Sequence, residues 1–249
     1  MMRTLVIGDV HGCLEELVQL LDKASFRRGQ DRLVLLGDLM DRGPYPVECV
    51  RLARELGAEV VLGNHEEKHL RWRAHLEKAA RNPDYKNPMG GLGAPRAAEN
   101  AALSDSDMAW LRSLPVCLDL GTAADKDWVA VHAGFEPGRS LGAQREDRVL
   151  RVRFVGNDGL FIPFKKNSVA QPPGSRYWAE LWEGPVSVVY GHAVHSLESP
   201  RVDNADSGVS CWGIDTGCCF GGRLTALELP SLAVHQVPAK AKYCELKTE

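Results

Sequence analysis

The first 70 residues alternate between short apolar runs and segments with helical periodicity. The apolar runs cover residues 5–7, 33–36 and 60–62, and each ends in a glycine followed by a polar residue. After the first run, apolar residues recur at the i, i+3, i+4 and i+7 positions of a helix, at Leu14, Leu17, Val18 and Leu21. Because apolar strands that alternate with helices are typical of parallel sheets covered on both faces, the pattern predicts the order β-α-β-α-β-α.

The pattern changes after residue 80. Residues 81–103 contain three Pro and three Gly, which predicts a long loop insertion. A short helix is expected over residues 105–113, with Ser104 or Asp105 as its N-cap. Five strand-like segments follow, at residues 116–120, 129–132, 186–190, 211–215 and 224–229. Since these segments need no helices between them, we expect a second, largely antiparallel or mixed sheet, and we interpret residues 1–249 as a single α/β domain.

Composition excludes several classes of protein. Hydrophobic residues make up 44% of the chain and charged residues 25%, which is ordinary for a globular protein and unlike a disordered or fibrous one. The net charge of −3 does not indicate a general polyanion binder. No stretch approaches the roughly 20 apolar residues that span a bilayer, and the N-terminal residues lack the apolar region of a signal peptide. The seven cysteines form no C-x-x-C pair, so a reducing cytoplasmic location is expected.

Polar side chains stand directly after the apolar strands at five places. Asp9 and Asp38 are 29 residues apart, and Asp38 and Asn64 are 26 apart. Each interval is close to the roughly 30 residues of a β-α-β unit, so these positions lie side by side at the carboxyl ends of parallel strands. Polar residues also follow two of the later strands, at His132 and His192. We therefore expect these distant residues to converge at one edge.

The chemistry of these side chains indicates metal binding. With His11, the set comprises two carboxylates, three imidazoles and one amide, which suits Mn, Fe or Zn better than Ca. The absence of cysteine argues against a structural zinc site. Six ligands are too many for one catalytic ion, but they fit two ions about 3.5–4 Å apart that share a carboxylate. Asp9, His11 and Asp38 would hold one ion, and the other would be held by Asp38, Asn64, His132 and His192.

The candidate ligands stand in five sequence blocks that resemble the signature blocks of the phosphoprotein phosphatase (PPP) metallophosphoesterases. The blocks are residues 8–12 (GDVHG), 37–43 (GDLMDRG), 63–66 (GNHE), 132–134 (HAG) and 191–192 (GH). The resemblance implies a two-layer mixed β-sandwich flanked by helices, the calcineurin-like metallophosphoesterase fold. It also implies a dinuclear centre, usually of Mn²⁺ with Fe, Zn, Ni or Co as alternatives. Such a centre hydrolyses phosphate esters or anhydrides by direct attack of metal-bound hydroxide.

The resemblance also implies roles for individual residues. Asp9, His11, Asp38, Asn64, His132 and His192 match the family's metal ligands. His65 matches its general acid, Asp41 matches the carboxylate partner of that acid, and Arg42 matches an arginine that grips the phosphoryl oxygens. A second such arginine is expected some twenty residues after the HAG block, where Arg153 fits best by spacing, Arg151 comes next and Arg148 also competes.

The last part of the chain indicates a branch of the family. The HAG block replaces the His-Gly-Gly of eukaryotic Ser/Thr phosphatases, and no Ser-Ala-Pro-Asn-Tyr segment follows. Residues 213–217 (GIDTG) are instead similar to bacterial members: diadenosine tetraphosphate hydrolases, ApaH-like phosphatases and the phosphatase module of polynucleotide repair enzymes. We therefore expect an enzyme that acts on a small phosphorylated substrate, best described as a diadenosine tetraphosphate hydrolase.

Other functions remain as alternatives. The first is a bacterial protein phosphatase for phospho-Ser/Thr or phospho-Tyr, whose partner would be a phosphoprotein. A polynucleotide end phosphatase is less favoured, because the net charge of −3 disfavours extended contacts with a polynucleotide, although a single terminal phosphate needs few contacts. A non-catalytic scaffold is disfavoured because no candidate ligand is missing, and no membrane partner is expected.

Two further groups of residues have less specific interpretations. His69, His75, His195 and His235 are interpreted as surface or helix residues rather than metal ligands. Trp178 and Trp182, four residues apart, predict either core packing or a stacking surface for a nucleobase.

Overall fold

Two five-stranded sheets lie at the centre of the molecule. The computed structural model describes residues 2–163 and 171–246. Its strands are β1 (Thr4–Ile7), β2 (Arg32–Leu35), β3 (Glu59–Val60), β4 (Cys117–Ala123), β5 (Lys126–Val131), β6 (Phe154–Val155), β7 (Arg176–Tyr177), β8 (Ser187–Tyr190), β9 (Arg201–Asn204), β10 (Ser210–Gly213), β11 (Arg223–Leu229) and β12 (Ala233–Pro238). Its α-helices are α1 (Leu14–Lys23), α2 (Pro46–Leu56), α3 (Asn64–Arg81), α4 (Ala94–Ala102), α5 (Asp105–Arg112) and α6 (Glu146–Val149). None of the described helices is long and apolar enough to cross a membrane.

The first sheet has the strand order β12-β11-β1-β2-β3, in which β1, β2 and β3 run parallel. The predicted order β-α-β-α-β-α is therefore confirmed for the first 81 residues. Side chains alternate along β1 because successive residues of a strand point to opposite faces. Leu5 and Ile7 pack against the helical layer, and Val6 packs towards the second sheet.

The second sheet has the strand order β4-β5-β8-β10-β9. It is mixed, as predicted, because β5, β8 and β10 run parallel while β4 and β9 run antiparallel to their neighbours. Its inner face packs on the first sheet, where Ala130 and Val189 share a buried apolar cluster with Val6 and Val34. The two sheets thus form a sandwich, with α1 and α2 on the outer face of the first sheet.

One strand predicted for the second sheet belongs to the first. The segment 224–229 forms β11, which pairs antiparallel with β1 so that Leu5 lies opposite Glu228. The interpretation was wrong because an apolar strand pattern states that a strand is buried but not which strand it pairs with. By pairing with β1, β11 satisfies the backbone groups that would otherwise be exposed at an edge of the parallel strands.

Residues 81–103 were predicted to form a loop, but the loop is largely confined to residues 82–93. Arg81 still belongs to α3, and residues 94–102 form α4. The glycines that suggested a loop all precede α4, whose own sequence is rich in alanine and has Pro95 in the first turn, where proline is tolerated. The next helix, α5, was predicted correctly and begins with Ser104 as N-cap in a capping box.

Candidate metal centre

The six candidate metal ligands lie at one edge of the sandwich. Asp9 follows β1, Asp38 follows β2 and Asn64 begins α3, while His132 and His192 follow the parallel strands β5 and β8. The carboxyl ends of parallel strands from both sheets therefore meet at this edge, as the sequence pattern predicted. The side chains of Asp9, His11, Asp38 and His132 are all buried.

Asp38 lies at the centre of this cluster. Its Oδ2 is 3.5 Å from Nε2 of His11, and its Oδ1 is 3.5 Å from Nε2 of His132. Oδ1 also accepts a hydrogen bond of 3.0 Å from the backbone N–H of His65. A carboxylate whose two oxygens face different imidazoles has the geometry needed to be shared between two ions.

Backbone carbonyls orient two of the imidazoles. Nδ1 of His11 lies 2.8 Å from the carbonyl oxygen of Met40, and Nδ1 of His132 lies 2.7 Å from that of Leu36. Each Nδ1 therefore carries the proton and donates it, which leaves the Nε2 lone pair directed into the site. Nε2 of His132 is also 2.9 Å from Oδ1 of Asn64, so two potential ligand atoms adjoin there.

The remaining two candidates complete the cluster. The backbone N–H of His192 donates to Oδ1 of Asp9 at 3.0 Å, and the ring of His192 lies 5.0 Å from that of His132. Oδ2 of Asp9 is 3.8 Å from Nε2 of His11. The contact between the backbone of His192 and Asp9 requires glycine at position 191, because a Cβ atom there would lie 2.1 Å from Oδ1 of Asp9. The structure thus brings all six predicted side chains together.

Burial controls the charge of the cluster. It lowers the pKa of three imidazoles, those of His11, His132 and His192. Neutral imidazoles are the form that binds metal. Burial also raises the pKa of Asp9 well above its usual value, and the nearby charges of Asp215 and Asp38 raise it further. Clustered buried carboxylates with neutral imidazoles fit a pair of divalent cations, which would relieve the repulsion between the carboxylates.

Backbone strain is concentrated in the same place. Five site residues have φ between +47° and +73° although none is glycine: His11, Asp38, Asp41, Arg42 and His192. Such conformations cost roughly 1–3 kcal/mol each and are found mainly at functional sites. Because several separate loops carry this strain, the surrounding structure fixes the directions of these side chains.

The predicted acid and its partner are in contact. Nδ1 of His65 is hydrogen-bonded to Oδ2 of Asp41, and Nε2 of His65 lies 3.8 Å from Oδ2 of Asp38. Arg42 reaches the same space, where its guanidinium donates to Nε2 of His11 at 2.6 Å and lies 3.4 Å from Nε2 of His65. The face of Phe220, 4.9 Å from the guanidinium carbon of Arg42, supports this arginine.

The arginines considered for the second phosphate contact occupy different places. Arg153 donates to the carbonyl oxygen of His192 at 3.2 Å and therefore lies beside the cluster. Arg151 forms an ion pair of 2.5 Å with Glu67. Arg148 stacks 4.2 Å from the ring of Phe161. The geometry therefore favours Arg153, the first choice by sequence spacing.

Glu66 is a functional residue that sequence reasoning missed. Its side chain is fully buried, and its two carboxylate oxygens accept hydrogen bonds from the backbone N–H groups of Asp38 at 2.7 Å, Leu39 at 2.8 Å and Met40 at 3.1 Å. Glu66 therefore holds the loop that carries Asp38 and the carbonyl that orients His11. The available signal was its place in the GNHE block, next to Asn64 and His65.

Glu66→Ala is expected to lower the free energy of unfolding by about 3 kcal/mol or more, because three buried N–H groups lose their acceptor. Affinity for divalent metal should fall about 10- to 100-fold, as is typical when a group that orients ligands is lost. Urea denaturation and metal titration measure the two effects. Glu67→Ala, on the same helix but part-exposed, is the control and should cost about 1 kcal/mol or less. Equal losses in both variants would contradict the role of Glu66.

Burial and contacts define the places of four further residues. His69 is a helix residue, as interpreted, because it lies in α3; it is also fully buried, and its Nε2 lies 2.9 Å from Oδ1 of Asp41, a contact that the sequence did not indicate. The missed signal was its position four residues after His65, on the same face of α3. Asp215 was also missed: it is buried, and its charge helps to raise the pKa of Asp9. Trp178 and Trp182 are buried against Phe135, which favours the core-packing interpretation.

Comparison with known proteins adds an independent finding. Residues 2–226 match the family model of the calcineurin-like phosphoesterases. A symmetrical bis(5'-nucleosyl)-tetraphosphatase of Cronobacter sakazakii is 32% identical over 283 aligned positions that cover 94% of this chain and 93% of that protein. The enzyme of the same name from Escherichia coli K12 is 31% identical, with 91% of this chain and 92% of that protein covered. A crystal structure described as that of a candidate diadenosine tetraphosphatase is 29% identical, with a TM-score of 0.74 and coverage of 95% and 93%.

Proposed function

The chain belongs to the calcineurin-like phosphoesterase family, and on that premise we propose that it hydrolyses diadenosine tetraphosphate or a closely related dinucleoside polyphosphate. The resemblance seen in the sequence and the expected sandwich fold are confirmed, and the chain is a phosphoesterase. The relatives that carry the tetraphosphatase name align with more than 90% of this chain and of their own length. The proposed substrate is therefore that of relatives that are similar to this chain over its whole length, and not only in the signature blocks.

The placement of Asp38 between His11 and His132 is the observation that carries the mechanism. We propose that Asp9, His11 and Asp38 hold one divalent ion, that Asp38, Asn64, His132 and His192 hold a second, and that the metal is Mn²⁺. When bound, the two ions would supply Lewis-acid activation of water and stabilise the negative charge of the phosphoryl group. The mixed nitrogen and oxygen donors suit this class of metal.

His65 is proposed as the general acid. Its Nδ1 is occupied by Asp41, so its Nε2 is the atom left to donate a proton to the leaving oxygen. The carboxylate of Asp41 accepts the hydrogen bond from Nδ1 of His65 and fixes the orientation of the ring. This hydrogen bond supports a donor that is already aligned before substrate arrives.

Arg42 and Arg153 are proposed to bind the phosphoryl oxygens. Both lie beside the ligand cluster, Arg42 against His11 and His65 and Arg153 against the carbonyl oxygen of His192. A guanidinium is always charged and presents its N–H groups in a planar fork that matches phosphate oxygens. These two cations would orient the scissile group of a polyanionic substrate in a chain whose net charge is −3.

We also propose a cytoplasmic location and a small-molecule partner. All seven cysteines are free thiols, which supports the cytoplasmic location predicted from the sequence. The expected partner is a small phosphorylated molecule, and the bacterial protein phosphatase remains the alternative that the experiment must distinguish.

The test is product analysis on Mn²⁺-loaded protein that is offered diadenosine tetraphosphate and a phosphopeptide at equal concentration. Chromatography is expected to show nucleotide products in excess, with ADP as the sole nucleotide if cleavage is symmetrical, as in the relatives' names. ATP together with AMP would indicate asymmetrical cleavage, and diadenosine tetraphosphate would still be the substrate. Inorganic phosphate released mainly from the peptide would instead establish the protein phosphatase and contradict the proposed substrate.

A further inference from the structure

A chain of buried hydrogen bonds runs from helix α4 to the proposed acid. It includes three side chains on one face of α3, at intervals of four residues: His65, His69 and Arg73. Asn100 of α4 and Asp41 complete the chain, and the side chains of Asp41, His69 and Asn100 are all fully or almost fully buried. Neither His69 nor Asn100 belongs to the ligand cluster.

The donors and acceptors in this chain can be assigned without ambiguity. Nε of Arg73 can only donate, and it lies 3.0 Å from Oδ1 of Asn100, which fixes that amide oxygen as the acceptor. The amide nitrogen of Asn100 must then be the donor to Nδ1 of His69 at 3.2 Å and to the carbonyl oxygen of His69 at 3.0 Å. Arg73 thus settles an amide orientation that would otherwise be ambiguous.

The orientation of Asn100 determines the tautomer of His69. Because Nδ1 of His69 accepts a hydrogen bond, the proton of the neutral ring is on Nε2. Nε2 lies 2.9 Å from Oδ1 of Asp41 and donates to it. The other oxygen of Asp41, Oδ2, accepts from Nδ1 of His65 and also from Nε of Arg96 at 2.6 Å. Asp41 is therefore held at both oxygens, and only its Oδ2 side faces His65.

We propose that His69 and Asn100 are positioning residues that fix the Asp41 carboxylate through a directed chain of donors, from Arg73 through Asn100 and His69 to Asp41, and so align His65 with the leaving group. The inference rests on the proposed role of His65 as general acid. Without the donor of His69, Asp41 can rotate towards Arg96, and the ring of His65 loses its fixed acceptor. Helix α4, within the segment expected to be a loop insertion, thereby contributes to the chemical step through Asn100.

The test compares two substrates that differ in their need for an acid. Phenyl phosphate has a poor leaving group and nitrophenyl phosphate a good one, so the ratio of their kcat values reports proton donation. The ratio does not change when part of the protein is unfolded, since both rates then fall together. His69→Leu is expected to raise the nitrophenyl-to-phenyl ratio about tenfold, the factor expected for one hydrogen bond to a charged group.

Rescue and control variants separate a donor role from a packing role. His69→Gln keeps an N–H near the position of Nε2, and its ratio should stay within about threefold of the wild type. His75→Leu, on the same helix but bonded to Tyr85 at 2.5 Å, should leave the ratio unchanged. His65→Asn is measured in parallel as the reference for loss of the acid.

The outcomes distinguish the inference from the proposed function. A raised ratio in His69→Leu that is restored in His69→Gln supports the donor chain. An unchanged ratio in His69→Leu, with a raised ratio in His65→Asn, overturns the inference and leaves the acid in place. Equal increases in His69→Leu and His69→Gln would also overturn it, because packing and not the donor would then matter. An unchanged ratio in His65→Asn would overturn the proposed acid itself.

Discussion

Asp38→Asn is expected to lower kcat/KM for diadenosine tetraphosphate by about 10³-fold or more. Asp38 faces His11 with one oxygen and His132 with the other, so an amide in its place would keep a single oxygen donor for the two proposed ion positions and would lack the negative charge between them. Two ions that stabilise a phosphoryl group contribute several kcal/mol, and about 4 kcal/mol corresponds to a 10³-fold change in rate. Elemental analysis of the purified variant should also show less metal per chain than in the wild type.

The matched control is Asp84→Asn, which makes the same chemical change at an exposed position. It should retain the wild-type rate and metal content, because surface substitutions of this kind have little effect on stability. An Asp38→Asn variant that keeps its metal and more than about a tenth of its activity would mean that Asp38 is not shared between two catalytic ions.

His65→Asn is expected to slow the hydrolysis of phenyl phosphate about 10²-fold or more and that of nitrophenyl phosphate about tenfold at most. General acids typically contribute about 10² to 10⁴ in rate, and most of this contribution is lost when the leaving group is stable without a proton. The physical basis is the hydrogen bond between Nδ1 of His65 and Asp41, which leaves Nε2 as the donor. Steady-state kinetics with both esters at saturating metal measure the difference.

His75→Asn on the same helix is the control for this experiment. It removes an imidazole that is bonded to Tyr85 and not to the site, so both esters should be hydrolysed at nearly the wild-type rate. If His65→Asn slows both esters by the same factor, His65 does not act as the acid, and its place beside Asp41 is structural.

The candidate ligands were predictable because their spacing follows from the geometry of parallel strands. Asp9, Asp38 and Asn64 end successive strands or begin the next helix, and such positions must adjoin in a parallel sheet. His132 and His192 follow the same rule in the second sheet, where β5 and β8 run parallel. The glycine before His192 is required because the backbone there approaches Asp9. Local sequence therefore carried most of the information about this edge.

Features that depend on long-range pairing could not be predicted in the same way. The apolar pattern of β11 shows that it is buried, but its pairing with β1 joins residues more than 200 positions apart. Helix α4 was obscured because glycines precede it, and the positioning role proposed for Asn100 depends on its contact with His69 on another helix. The role of Glu66 depends on backbone donors of a distant loop, and its place in the GNHE block does not reveal which donors it binds.

We propose that this edge of the sandwich holds two catalytic ions that share one carboxylate. The most direct measurement is electron paramagnetic resonance of the protein titrated with Mn²⁺, combined with elemental analysis of the bound metal. We expect two Mn²⁺ ions per chain and an exchange-coupled spectrum, because two ions that shared the Asp38 carboxylate would interact magnetically. A single ion per chain with the spectrum of isolated Mn²⁺, in protein that is fully active, would contradict it.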